Sequence, residues 1–250
     1  MKLLENISYA KRGDKELFLD LYLPKQSEFS VFVYFHGGGL EEGSKGMCES
    51  YAKYLTGKGI AVASADYRMY PNAKYPDFVE DAAEAVHWVS ENIGTYGSCT
   101  KMFVGGSSAG GYLSMMLCFD PRWLLPFGEL KVPVAGYFHN AGQPTCHFNV
   151  LRERGLSPKR AIVDESSPLY HIGTQEEYPP MHFVVSDSDM ACRYEQTMLV
   201  LTTLKHFGCD EEKIGFTLFH GGHCEQNFTV DENGDNALGK MIFEFIEKYQ

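Results

Sequence analysis

Short apolar runs rich in Val, Ile, Phe and Tyr alternate along this chain with stretches of helical periodicity, and that alternation limits the folds open to it. Parallel strands need a crossover about as long as a helix, and strands covered by helices on both faces read as near-continuous apolar runs. The pattern predicts an α/β fold: an eight-stranded, mostly parallel sheet with helices on both faces. The first two strands, Ile7–Ala10 and Leu17–Tyr22, alternate apolar and polar residues around Arg12-Gly13-Asp14 and read as an antiparallel edge hairpin. Buried strands are expected at Val31–Phe35, Ile60–Ser64, Met102–Val104, Val134–Phe138, His182–Val185 and Gly215–Phe219. Helices are expected at Cys48–Thr56, Phe78–Ile93, Ala109–Cys118, Tyr194–Phe207 and Asn236–Tyr249, with Gly57, Gly94 and Gly208 placed to act as left-handed caps.

At 250 residues and 44% hydrophobic content, the chain is expected to form one domain over 1–250. Between His139 and Pro180 several prolines break any long element, so a small lid-like or substrate-contact segment is expected there. A net charge of −11 without a Lys/Arg cluster argues against nucleic acid and anionic membranes as partners. No apolar run reaches the roughly 18 residues of a membrane span, and the start lacks the apolar core of a signal peptide. Seven cysteines without a C-x-x-C pair suit reduced thiols, so a cytoplasmic location is expected.

The chemistry concentrates in two glycine-rich turns. Lys101 to Tyr112 runs from a strand into a helix through G-x-S-x-G, with Ser108 at its centre and glycines at 106 and 110 leaving room for a sharp bend. Such a turn exposes the Ser108 hydroxyl above a helix N-terminus, where developing negative charge is favoured. Ser107 is the competing hydroxyl, but it lacks glycines at both flanking positions of the turn. The third strand runs into His36-Gly37-Gly38-Gly39, whose amides can point one way with no side chain between them. Gly37 and Gly38, with the amide of Ala109, are the expected oxyanion donors.

These motifs together resemble the hormone-sensitive-lipase-like branch of the α/β-hydrolases, which includes many bacterial carboxylesterases. The matching residues are His36 to Gly39 with Gly43-Ser44, Asp66-Tyr67-Arg68 followed by Pro71, Pro76 and Asp81, and Gly106 to Gly111, within a span of about residues 30 to 225. The family usually has Asp where this chain has Ser107, a position that is not catalytic there. Many relatives carry an N-terminal helical cap, so the chain resembles the short, cap-poor forms, and an open site is implied.

Acyl transfer by serine needs a base near neutral pKa, and in this fold the order along the chain is serine, acid, histidine. Of nine histidines, His223 follows a late strand and two glycines and matches the family position; His220 is the alternative. The acid belongs in Ser186 to Met190, where Asp187 and Asp189 both qualify by residue type and the family pattern favours Asp189. The resemblance implies an ion pair between Arg68 and Asp81. No metal-ligand spacing stands out, and no cofactor is expected.

The expected activity is that of a serine carboxylesterase for short acyl groups, with a small-molecule ester as partner. Acetyl or hydroxycinnamoyl esters of carbohydrates are the substrates the resemblance implies, with Tyr137, Phe138 and Tyr170 expected near the site loops. A peptidase of the same fold, or a silent hydrolase-like binding protein, is the alternative. Oligomeric state is not fixed by the sequence.

Overall fold

A computed structural model describes residues 1–250. Eight strands form one sheet: β1 (Lys2–Arg12), β2 (Lys15–Leu23), β3 (Glu28–Phe35), β4 (Ile60–Ala65), β5 (Ser98–Ser107), β6 (Val134–Asn140), β7 (Met181–Ser188) and β8 (Ile214–Gly222). Their spatial order is β1-β2-β4-β3-β5-β6-β7-β8, with β1 and β2 antiparallel and every pairing from β4 to β8 parallel. Six helices connect them: α1 (Glu49–Gly57), α2 (Asp77–Asn92), α3 (Ala109–Phe119), α4 (Phe148–Glu153), α5 (Arg193–His206) and α6 (Ala237–Tyr249). No helix is long and apolar enough to cross a membrane.

The pleat of the central strands divides the core into two layers, because successive side chains point to opposite faces. Val31, Val33 and Phe35 of β3 pack with α2 and α3 on one face, while Phe32 and Tyr34 pack with α1 and α6 on the other. The register sets the ends of neighbouring strands level: Phe35 of β3 lies opposite Gly106 of β5, and Ser107 lies opposite Asn140 of β6. All the site loops therefore emerge along one edge, outside the carboxyl ends of the parallel strands.

Two expectations change. β8 is half-exposed rather than buried, because it is the last strand in the sheet order, and Phe216 and Leu218 face solvent. Of the three expected glycine caps only Gly208 takes a left-handed conformation; after α1 that role falls to Gly59, and α2 runs on into a short turn at Ile93–Thr95. Residues 139–180 contain the short helix α4 and pack against the domain, with Tyr112 Oη donating to the Ser166 carbonyl at 2.8 Å.

Candidate active site

β5 enters α3 through a bend that leaves Ser108 at φ 54° and ψ −111°, a backbone conformation that L residues rarely adopt. Gly106 and Gly110 make the bend possible. A Cβ on Gly110 would lie 1.9 Å from the Phe35 carbonyl oxygen, and one on Gly106 would lie 2.5 Å from the Gly110 carbonyl oxygen, so neither position admits a side chain. The Ser108 amide donates to the Asn140 carbonyl at 2.8 Å, which ties the bend to β6.

Two loops bring the remaining groups to Ser108. His223 follows β8, and its Nε2 lies 2.8 Å from Ser108 Oγ. Its Nδ1 lies 2.5 Å from Asp189 Oδ1 in the loop after β7. Asp189 is held from behind by the amides of Met190 at 2.7 Å and Ser186 at 3.2 Å. Burial pushes the Asp189 carboxyl up, but the His223 bond and charge and these two amides outweigh it and hold the pKa below the ordinary range. An ionised Asp189 accepts from Nδ1–H, so Nε2 is left with a lone pair facing the Ser108 hydroxyl.

The loop after β3 closes the other side. A Cβ on Gly37 would sit 3.3 Å from Ser108 Cβ, which places the main chain directly against the bend at Ser108. The amides of Gly37, Gly38 and Ala109 make no hydrogen bond to another main-chain group. His36 shapes this loop from beneath: its ring stacks on Tyr67 with centroids 4.4 Å apart, and Nδ1 lies 2.7 Å from the Gly37 carbonyl. Burial holds the His36 pKa below its ordinary value, so the ring is neutral and Nδ1–H can donate to that carbonyl.

The structure thus brings Ser108, Asp189, His223, Gly37, Gly38 and Ala109 to one place. It parts the alternatives from them: Asp187 and His220 pair with each other at 2.8 Å on the surface, and Ser107 turns into the interior. Arg68 and Asp81 pair as expected, with Nε to Oδ2 at 2.8 Å. Tyr137 and Phe138 do not reach the site, because β6 buries both in the core; Tyr170 is exposed and lies outside the cavity. A cavity of about 350 Å³ over Ser108 is walled instead by Met47, Phe148, Met190 and Phe228, with Glu41 and Glu42 as its acidic residues. No motif marks these residues in the sequence, since they come from four separate segments of the chain.

Comparison with known proteins agrees with this architecture. The chain matches the BD-FAE family over residues 19–122. It is 34% identical to an arylesterase of Saccharolobus solfataricus over 235 residues, 92% of this chain and 75% of that protein. The chain spans about a third of the length of the curated relatives it matches first, among them esterase LipI of Mycobacterium tuberculosis, 37% identical over 40% of this chain and 32% of that protein. Among solved structures, esterase 2 of Thermogutta terrifontis phosphonylated by cyclosarin superposes with a TM-score of 0.78 at 26% identity, covering 98% of this chain and 93% of that one. With its sheet order, its strand-to-helix bend at Ser108 and an esterase relative matched over 92% of this chain in agreement, the chain belongs to the hormone-sensitive-lipase-like branch of the α/β-hydrolase esterases.

Proposed function

We propose that this protein is a serine carboxylesterase that hydrolyses short-chain acyl esters through an acyl-enzyme on Ser108. The observation that carries the reading is the unbroken path from Asp189 through His223 to Ser108 Oγ, beside amides with no main-chain acceptor. In this reading Ser108 Oγ attacks the ester carbonyl carbon while His223 Nε2 takes the hydroxyl proton. The oxygen that becomes negative is received by the amides of Gly37, Gly38 and Ala109, each such donor contributing about 3 kcal/mol to the transition state. When the intermediate collapses, the proton on Nε2 passes to the departing alcohol. Water, deprotonated by the same nitrogen, then releases the acid and restores the hydroxyl. Asp189 fixes the imidazole tautomer and stabilises the transient imidazolium without itself taking the proton.

Short acyl groups suit a cavity of about 350 Å³, near the lower end of small-molecule sites. Acetyl or hydroxycinnamoyl esters of carbohydrates are the substrates we favour, since Glu41 and Glu42 can accept from hydroxyls and Phe228 offers an exposed ring. The deciding experiment is Ser108→Ala with p-nitrophenyl acetate. Turnover is expected to vanish while the thermal transition stays near that of the parent, and equal rates in the two proteins would defeat the reading. A peptide anilide in the same assay separates esterase from peptidase, and a panel of acylated sugars tests the preferred alcohol.

A further inference from the structure

Behind the nucleophile lies a polar cluster that the proton path does not use. Ser107, Asn140, Gln226 and Asn227 are all buried, Asn227 being the most accessible at 6%. The Gln226 side-chain amide donates to Asn140 Oδ1, which turns Asn140 Nδ2 the other way. That nitrogen donates to Ser107 Oγ at 2.8 Å and to Asn227 Oδ1 at 2.9 Å. Ser107 Oγ–H donates to the same Asn227 oxygen at 3.4 Å. The Asn227 main chain is held as well, its carbonyl accepting from Asn236 Nδ2 at 2.8 Å.

With its oxygen engaged from behind, the Asn227 carboxamide has its Nδ2 turned out of the cluster. The residue lines the cavity over Ser108, and this nitrogen is not among the polar atoms sealed from solvent. None of the side-chain bonds of the cluster uses it. A donor held this firmly at the wall of a cavity is the kind of group a ligand completes, because what fills the cavity displaces the water that would otherwise bond it. Glu42 lines the same cavity and offers an acceptor; unlike Glu41, it is not held by Arg152.

We infer that Asn227 is a specificity-determining residue whose Nδ2 donates to an oxygen on the alcohol arm of the ester, so that the site selects esters of polyhydroxylated alcohols. The inference rests on the esterase reading given above. The arm is assigned from the chain itself. His223 Nε2 has to protonate the leaving oxygen, and Cys224 to Asn227 continue directly from His223, so the group beside them is the one that departs. A hydroxyl next to the scissile oxygen could accept from Asn227 and donate to Glu42, whereas an alkyl group of equal size would leave both unsatisfied.

The test is a ratio of kcat/KM values, glyceryl monoacetate over butyl acetate, beside ethyl methoxyacetate over ethyl butyrate as the acyl-arm pair. The parent is expected to favour glyceryl monoacetate by about tenfold or more. Asn227→Asp keeps the oxygen that Asn140 and Ser107 engage but replaces the amino donor with an acceptor, and it is expected to bring that ratio close to parity. A parent with no such preference overturns the inference, as does a variant that loses rate equally on both esters. A preference carried by the acyl-arm pair overturns it too. If Asn227→Asp does not fold, the parent's own two ratios still decide. Failure of the esterase reading looks different: Ser108→Ala would then retain the parent's rate on p-nitrophenyl acetate.

Discussion

Two Asp–His pairs, 2.5 Å and 2.8 Å across, stand at the carboxyl ends of β7 and β8 and in the loops that follow, and only the pair from Asp189 to His223 reaches Ser108. What separates them is depth. The Asp189 side chain is 1% exposed and the His220 side chain is 87% exposed, so water screens the Asp187–His220 pair and leaves the other in lower dielectric. Asp189→Asn should therefore lower kcat on the order of 10⁴-fold, because an amide in that place no longer enforces the tautomer. Asp187→Asn should stay close to the parent. A comparable loss in both variants, measured with p-nitrophenyl acetate, would mean that the acid has been misassigned. Ser108 and the glycines were legible in the sequence because each sits in a turn where sterics admit few residue types. The choice of acid was not legible from the residues alone. Between Ser186↔Phe219 and Ser188↔Gly222 the β8 side gains a residue, and this irregularity is what aims His220 outward and carries the chain on to His223.

Asp81 shows how one element can hold two others in place. From α2 it accepts from Arg68 Nε at 2.8 Å and Nη2 at 2.9 Å, from the Arg68 amide at 2.9 Å, and from Arg12 Nε at the end of β1 at 3.3 Å. It is wholly buried, so removing its carboxylate strips the Arg68 amide and Nε and the Arg12 Nε of their acceptor, while Arg68 keeps Asp77 at 3.0 Å and Arg12 keeps Glu84 at 3.2 Å. Asp81→Ala is expected to cost about 3–5 kcal/mol in urea unfolding while kcat per folded molecule holds. A cost below about 1 kcal/mol would show that Asp77, Glu84 and solvent already satisfy Arg68 and Arg12. Elements of this length were legible in the sequence. All eight strands and the five longer helices occur where apolar runs and helical periodicity predict them, with boundaries shifted by a few residues. α4 was not legible, since its six residues, Phe148–Glu153, hold less than two turns of periodicity. The same limit hides Asn140 and Asn227, which meet only because β5 and β6 end level and the His223 loop folds back over them.

Across the molecule, three further histidines join His36 in coupling stability to pH. His139 on β6 packs among Phe119, Tyr137 and Phe183 with Nδ1 2.8 Å from Ser114 Oγ, and burial drives its pKa down to about 3. His182 on β7 stacks on Phe138 and bonds Thr217, and burial lowers its pKa to about 4. His147, just before α4, is pushed well below the ordinary value by burial and then by Arg193 and Arg152. All three stay neutral in the folded chain, whereas in the unfolded chain each takes up a proton near pH 6.5. Below that pH the unfolded state binds more protons, so stability falls with acidification, and the fall continues until the folded-state values are reached. At pH 5 each such histidine costs about 2 kcal/mol, and three together approach the whole margin of a typical domain. The urea midpoint should therefore drop steeply between about pH 7 and pH 5. His139→Gln, which cannot be protonated there, should flatten that slope by about a quarter, since His36, His139, His147 and His182 each contribute up to one proton. A midpoint that does not move across this interval would mean that these rings exchange protons with solvent in the folded state, and that the core around β6 and β7 opens far more readily than its packing implies.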